Sequence, residues 1–313
     1  MSLDLPALET AVAERGQVVR LLISRSSGSA PRGAGTSMLV WDGGQSGTIG
    51  GGALEYEAVA EAGRMIASGR NRFARSFPLG PALGQCCGGS VSLVWERFDA
   101  ASLPPSLPYA RPLTRLCSHG KIPTVVGQSL DGMRPGALPV EVDGWLIEAG
   151  SEPRKPLWIW GAGHVGRALV EVLRPFPDRA ITWVDTAAER FPEPVPPDVT
   201  SIVARAPEVL VPHAPADADH LILTYSHDHD LALCHALLHH RFASVGLIGS
   251  ATKWARFRSR LRDLGHGPEA IARIACPIGD PDLGKHPQAI AVGVAAALLK
   301  TDGRVRTLGE KAG

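Results

Sequence analysis

The segment Leu157-Trp158-Ile159-Trp160, followed by Gly161-Ala162-Gly163-His164-Val165-Gly166, constrains the fold of this chain more than any other feature. Its first four residues, bulky and apolar, read as a buried strand. After the glycines, Ala168, Leu169, Val172 and Leu173 recur at helical spacing. Strand, glycine turn and helix in this order form a dinucleotide-type phosphate turn. Gly161 permits the tight bend, Gly163 lets a phosphate approach the backbone, and Gly166 lets the helix lie close on the strand. Asp185 ends the next apolar strand, about 20 residues on, where an acid commonly receives a ribose hydroxyl. NAD or another nucleotide is therefore a candidate ligand and an NAD-dependent oxidoreductase a candidate function. The same residues also suit a fold kept without any nucleotide.

Beyond this turn, strand-like runs such as ITWVD, SIVA, LILTYS and VGLIGS alternate with helical stretches. Such alternation predicts a parallel sheet of βαβ units. The fold class is thus α/β, with a Rossmann-like doubly wound parallel sheet over 155–313. Residues 1–150 predict a separate, mixed α/β domain, in keeping with 313 residues in all. Its pieces are a short helix ending at Gly16, strands over 17–24, 36–41, 71–77 and 90–96, and a helix over 53–68 that stops at Gly69. The proline-rich stretch 102–112 reads as a connector, and 113–147 as β-like fragments assignable to either domain.

Charge and cysteine content exclude several classes. The 32 Lys and Arg residues balance 31 Asp and Glu, so the large basic excess of a nucleic-acid or membrane-surface binder is missing. The first ten residues lack a basic region ahead of an apolar one, and the longest apolar run, 289–299, is too short to cross a bilayer. Five cysteines, an odd number, read as thiols of a reducing compartment, and the cytoplasm is the expected location.

Four further groups carry possible chemistry. Gly50-Gly51-Gly52 precedes a helix, where free amides favour an anion, although Glu55 and Glu57 partly fill that demand. Cys86 and Cys87 are adjacent and flanked by glycine, a poor spacing for zinc but an accessible one for soft-metal or sulfur chemistry; two inert buried thiols fit equally. Cys117, Cys234 and Cys276 are isolated and read as structural. His235 and His239 share a helical face, but Asp228 or Asp230 is expected to cap a helix from Leu231 and leave these histidines on its wet side. Lys253, Arg256, Arg258, Arg260 and Arg262, interleaved with Trp254, Phe257 and Leu261, predict an amphipathic helix with a solvated basic face.

Taken together, Gly28-Ser29-Ala30-Pro31-Arg32, the run Gly47–Glu55, Leu83-Gly84-Gln85-Cys86-Cys87-Gly88-Gly89, the glycine turn from Gly161, Thr224-Tyr225-Ser226-His227, the run Gly246–Lys253 and Cys276-Pro277-Ile278-Gly279 resemble the xanthine dehydrogenase accessory protein family. The resemblance spans nearly the whole chain apart from about 100–155. It implies a chaperone, not itself an enzyme, whose cargo is the molybdenum cofactor (molybdopterin). Such a protein supports replacement of an oxo by a sulfido ligand and delivery to apo-xanthine dehydrogenase. The implied partners are that enzyme, a cysteine desulfurase as sulfur source, and a second copy of the chain. On this reading Gly50, Gly51 and Gly52, or Gly161, Gly163 and Gly166, hold the cofactor phosphate and Arg32 adds a charge-assisted contact. Asp185 and Gln85 are further cofactor-site candidates, and Cys86 or Cys87 faces the molybdenum.

Overall fold

A computed structural model describes residues 3–80, 88–113 and 122–310, with side chains as far as 300. The chain divides into two compact units, Met1–Pro153 and Arg154–Gly313.

In the first unit, helix α1 (Leu5–Arg15) starts where the Asp4 side chain accepts from the Ala7 amide at 3.1 Å. It ends at Gly16, with φ +77°, a backbone angle that suits glycine. Strands β1 (Gln17–Ser27), β2 (Ser37–Trp41) and β3 (Gly44–Gly47) follow, then helix α2 (Gly52–Ser68) and strands β4 (Arg72–Pro78) and β5 (Ser90–Asp99). They form one antiparallel sheet in the order β3-β2-β1-β5-β4. Leu54, Ala58, Ala62 and Met65 of α2 recur at helical spacing and cover Val19, Leu21, Leu93 and Trp95 on one sheet face. Trp95 Nε1 also donates to the Ala58 carbonyl at 3.0 Å, so the indole is buried with its polar atom satisfied.

The proline-rich stretch does more than connect. Tyr109–Pro112 is a strand, β6, and the fragments after it supply helix α3 (Thr124–Asp131) and strands β7 (Val140–Val142) and β8 (Trp145–Glu148). These strands form a small antiparallel sheet, β6-β8-β7, within the first unit. Four fully buried charges join it to the larger sheet. Arg20 of β1 donates to both oxygens of Glu148 of β8, at 2.7 and 2.8 Å. Arg111 of β6 bridges Glu96 of β5 and Glu148, and Arg72 of β4 reaches Glu96 at 2.7 Å. Burial pushes the Glu148 carboxyl up, but the Arg20 and Arg111 charges outweigh it and bring it to about 2.

The second unit opens with β9 (Lys155–Trp160), α4 (His164–Leu173), β10 (Arg179–Asp185) and β11 (Val199–Val203). Then come β12 (Asp219–Ile222), α5 (His227–Leu238), β13 (Ser244–Leu247), α6 (Ala251–Asp263), α7 (Pro268–Ile271), β14 (Ile274–Ala275) and α8 (Pro287–Glu310). All six strands are parallel, in the order β11-β10-β9-β12-β13-β14, which is the dinucleotide-fold order with its reversal between β9 and β12. Alternate residues of β9 serve opposite cores: Leu157 and Ile159 meet α4 and α8, while Trp158 and Trp160 meet α5 and α6. The expected doubly wound parallel sheet is present. Among the described residues, no helix is long and apolar enough to cross a membrane.

Two expectations follow. Removing one member of a buried charge cluster strands the others, a loss of about 3–5 kcal/mol. Glu148→Gln should therefore raise amide hydrogen exchange across β1, β5, β6 and β8 and leave β9–β14 unchanged. The second concerns His220, fully buried on β12 beside Trp160, whose Nε1 donates to its Nδ1 at 3.2 Å. Burial, with the His240 charge adding to it, holds His220 down at about 4, against an ordinary 6.5. The unfolded chain takes up this proton first as pH falls. The His220 contribution is thus intact above about 6.5, declines towards 4 and is level below, a loss of about 3 kcal/mol. Denaturant titrations across this window should show a shallower decline for His220→Asn, whose side-chain oxygen replaces the acceptor without the proton.

Candidate functional site

Ligands of open parallel sheets bind outside the carboxyl ends of the strands, where the strand order reverses. In the second unit that place is the turn after β9. The Gly161 amide donates to the Val184 carbonyl at 2.8 Å, and a Cβ built on Gly161 lies 2.5 Å from the Leu223 carbonyl oxygen. Gly166 is tighter still: its Cβ would lie 2.0 Å from the Gly161 oxygen. Neither position has room for a side chain, so the first turn of α4 lies directly on the strand end. Gly163 differs. Its φ of −70° suits any residue, and a Cβ there meets nothing within 4 Å. The helix it precedes has neither a side-chain cap nor an acid in its first turn. The backbone thus presents a helix N-terminus to open space, the arrangement that receives an anion.

Asp185 is not available as the ribose acceptor expected from its position. It is 3% exposed. Its carboxylate accepts from the amides of Ala162 and Thr186, the latter at 2.6 Å, and Arg190 Nε lies 2.6 Å from it. The acid is consumed in fixing the turn. Arg190, which sequence spacing does not single out, closes it off and lies over the Tyr225 ring at 4.2 Å from the centroid. Arg167 supports this closure, donating to the carbonyls of Ala162 at 3.2 Å and Arg190 at 2.6 Å.

The neighbouring strand ends bring in two side chains that the sequence assigns elsewhere. Helix α5 begins at His227, and Ser226 caps it, accepting from the Asp228 and His229 amides. Neither Asp228 nor Asp230 is the cap, because Asp230 turns inward. It accepts from the amide and hydroxyl of Thr224 at 2.9 and 2.8 Å and pairs with Lys253 Nζ at 2.5 Å. Lys253 also donates to the Ile248 carbonyl at 3.2 Å. It is therefore a partly buried tie across the ends of β12 and β13, whereas Arg256, Arg258, Arg260 and Arg262 of the same helix are exposed as expected. Cys276 follows β14 at the same edge, half-buried, with burial pushing its thiol up to about 11. Cys234 is fully buried and its thiol is likewise held up by burial, as befits a core residue. His235 departs from a wet face, being half-buried and joined to His266 at 2.7 Å.

In the first unit, antiparallel pairing places the ends Ser27, Pro78 and Gly47 and the starts Ser37 and Ser90 at one edge of the sheet. The loop over 28–32, the triglycine turn and Gly89 therefore lie at that edge. A Cβ on Gly89 would lie 2.4 Å from the Ser27 carbonyl oxygen, and one on Gly50 would lie 2.9 Å from Pro31 and 3.5 Å from Arg32. Arg32 is exposed beside the triglycine turn. That turn is not a vacant phosphate seat, however. Glu55 Oε2 accepts from the Ile49 amide at 2.9 Å, the Gly51 amide at 3.0 Å and the Thr48 hydroxyl at 2.6 Å, and the Gly50 amide donates to Thr48 at 3.0 Å. Burial raises the Glu55 carboxyl, but these bonds outweigh it and hold it below its ordinary value. The carboxylate takes the anion's place for Ile49 and Gly51, the Thr48 hydroxyl holds Gly50, and Gly52 begins α2. A surface pocket at this sheet edge is lined by Ser24, Ser26, Ser27, Ser90 and Ser92 with Arg25. Gln85, Cys86, Cys87 and Cys117 lie outside the described residues.

Comparison with known proteins bears on both units. Residues 157–298 match the model of the XdhC Rossmann domain, and residues 11–77 that of the XdhC and CoxI family. Uncharacterized protein YqeB of Escherichia coli (strain K12) is 26% identical over 286 residues, covering 88% of this chain; the matched region is 42% of YqeB. The chain thus spans about two-fifths of that relative. A solved Bacillus halodurans structure, described as a xanthine dehydrogenase, superposes with a TM-score of 0.72 at 22% identity. The match covers 96% of this chain and 95% of that one, a likeness of fold.

The glycine turn gives a sharp prediction. Gly163→Ala should leave the melting temperature of the full chain unchanged, whereas Gly166→Ala should lower it markedly, because the added methyl has no space. Thermal unfolding of both variants beside wild type measures the contrast.

Proposed function

Because the chain belongs to the XdhC and CoxI family, we propose that it serves the maturation of a xanthine-dehydrogenase-type molybdenum enzyme, as a carrier of the molybdenum cofactor and not as a dehydrogenase. The observation that carries this reading is the pairing of an open Gly163 turn with a sealed Asp185. A helix N-terminus facing open space suits a phosphate. An acid engaged by two amides and Arg190 does not suit a ribose diol. The cargo's pterin carries a phosphate and a dithiolene-bound molybdenum, and needs no ribose acceptor. Gly163 would hold its phosphate.

In the first unit, Arg32 offers an exposed charge beside the triglycine turn. Cys86 and Cys87 are proposed to face the molybdenum, where thiolates suit a soft metal and sulfur exchange. The sulfur would come from a cysteine desulfurase and the loaded cofactor would pass to the apo-enzyme, in the cytoplasm where thiols stay reduced.

The sheet order with its reversal between β9 and β12 favours a second reading, a nucleotide-binding oxidoreductase. One experiment separates the two. Purified protein is loaded with molybdenum cofactor or titrated with NAD, and bound molybdenum, oxidised-pterin fluorescence and NAD heat are measured. Wild type should retain molybdenum and pterin in equal amounts, Gly163→Val should lose both, and the Cys86→Ala/Cys87→Ala double variant should lose molybdenum. Asp185→Ala should leave NAD affinity negligible, as in wild type. Micromolar NAD binding that falls in Gly163→Val, with substrate-dependent NAD reduction, would replace this proposal with the oxidoreductase.

A further inference from the structure

His235 lies on α5 and His239 caps its C-terminus four residues on, and His266 follows α6 in the short link to α7. Among the described residues, their ring nitrogens form a three-histidine group with one nitrogen from each within 4.8 Å of the others. The three ring centroids are 4.8–4.9 Å apart. His235 Nδ1 and His266 Nε2 share a hydrogen bond at 2.7 Å. The third ligand is placed by backbone. Gly265 has φ +93°, a left-handed angle, and the His266 amide donates to the Leu261 carbonyl at 3.1 Å. The chain thus folds back at the end of α6 and turns the His266 ring towards α5.

A surface helix has no need of this arrangement. One hydrogen bond uses a single lone pair and a single proton of the trio. We propose that His235, His239 and His266 form a binding site for a late first-row divalent cation of the Zn2+ type. In a tetrahedral site with metal–nitrogen bonds near 2.0–2.1 Å, ligand nitrogens are about 3.3 Å apart. The His235–His266 pair needs to open by about 0.6 Å to reach that spacing, and His239 needs to close in. His266 is almost fully buried, His235 half-buried and His239 exposed, so the cation enters from the His239 side and keeps its fourth position towards solvent. Three imidazoles without a carboxylate or thiolate favour zinc, cobalt, nickel or copper over calcium or magnesium. The ion would staple α5 to the α6–α7 link, and its open position would accept water or a donor from a partner.

The test uses the full chain without a histidine tag, stripped with chelator and dialysed against Co2+ or Zn2+. Wild type should bind a single equivalent of either ion. The Co2+ form should show tetrahedral d–d bands in the visible, without the near-ultraviolet band of cobalt–thiolate. Affinity should fall by more than about tenfold in His239→Asn and in His266→Asn, with circular dichroism unchanged. His239 is exposed, so its variant decides the matter even where a change at the buried His266 disturbs folding. Zn2+ should raise the melting temperature of wild type and not that of His239→Asn. Equal Co2+ binding by wild type and His239→Asn, a thiolate band, or no retained metal in wild type would each overturn the proposal.

Discussion

Gly161 lies between two strands with no room for a side chain, and the candidate site of the second unit is built around that crowding. Its carbonyl oxygen lies under Gly166 and accepts from Trp183 Nε1 at 3.0 Å, while its α-carbon faces the Leu223 carbonyl just past the end of β12. This close approach sets the start of α4, and the start of α4 sets where free amides face outward. A single methyl at either glycine would lift the helix from the sheet and remove the site with it.

Carboxylates around both glycine turns look inward. Asp185 fastens the turn after β9, Glu55 gathers the Ile49 and Gly51 amides, and Asp230 ties Thr224 to Lys253. Each acid is expected from the sequence to cap, to bind or to be solvated. Glu55 fills the demand of its turn as expected, whereas Asp185 and Asp230 turn inward from the roles expected of them, and all three satisfy backbone donors. An unsatisfied buried amide costs about 1–3 kcal/mol, and a carboxylate beside two of them is an economical remedy. The consequence for ligands is selective. Of the two glycine turns, the one at Gly163 is not held by a side chain of its own loop.

The sequence makes legible what is local. The run LWIW, the glycines and the apolar spacing of α4 lie within one short stretch, and the β/α alternation repeats the pattern, so the order of elements in the second unit follows from periodicity. Long-range pairing leaves no such trace. Arg20 meets Glu148 across 128 positions, so no spacing rule could place the segment around 100–150, and its short strands lack the length to announce themselves. His266 is equally silent: only the fold brings it to the i, i+4 pair at the C-terminal end of α5. Arg190 escaped for a different reason, because an arginine just after a ribose-position acid reads as surface charge until its distance to Asp185 is known.

A dinucleotide sheet and a dinucleotide ligand are separable, and this chain shows physically how. Topology and glycines deliver a phosphate site, because they govern the strand order and the helix start. Ribose recognition requires an acid with free lone pairs at the end of β10. Placing Arg190 against Asp185, and Tyr225 against Arg190, uses those lone pairs without disturbing the sheet. On the proposed reading the open turn at Gly163 is kept for a phosphate, while the acid that a ribose would need is part of the scaffold. On that reading, a ligand with a phosphate and a different second group is preferred to a nucleotide. The proposed selectivity thus rests on the two amides and the arginine that hold Asp185 over an otherwise conventional sheet, and the rest of the recognition falls to groups that the Rossmann fold itself does not dictate.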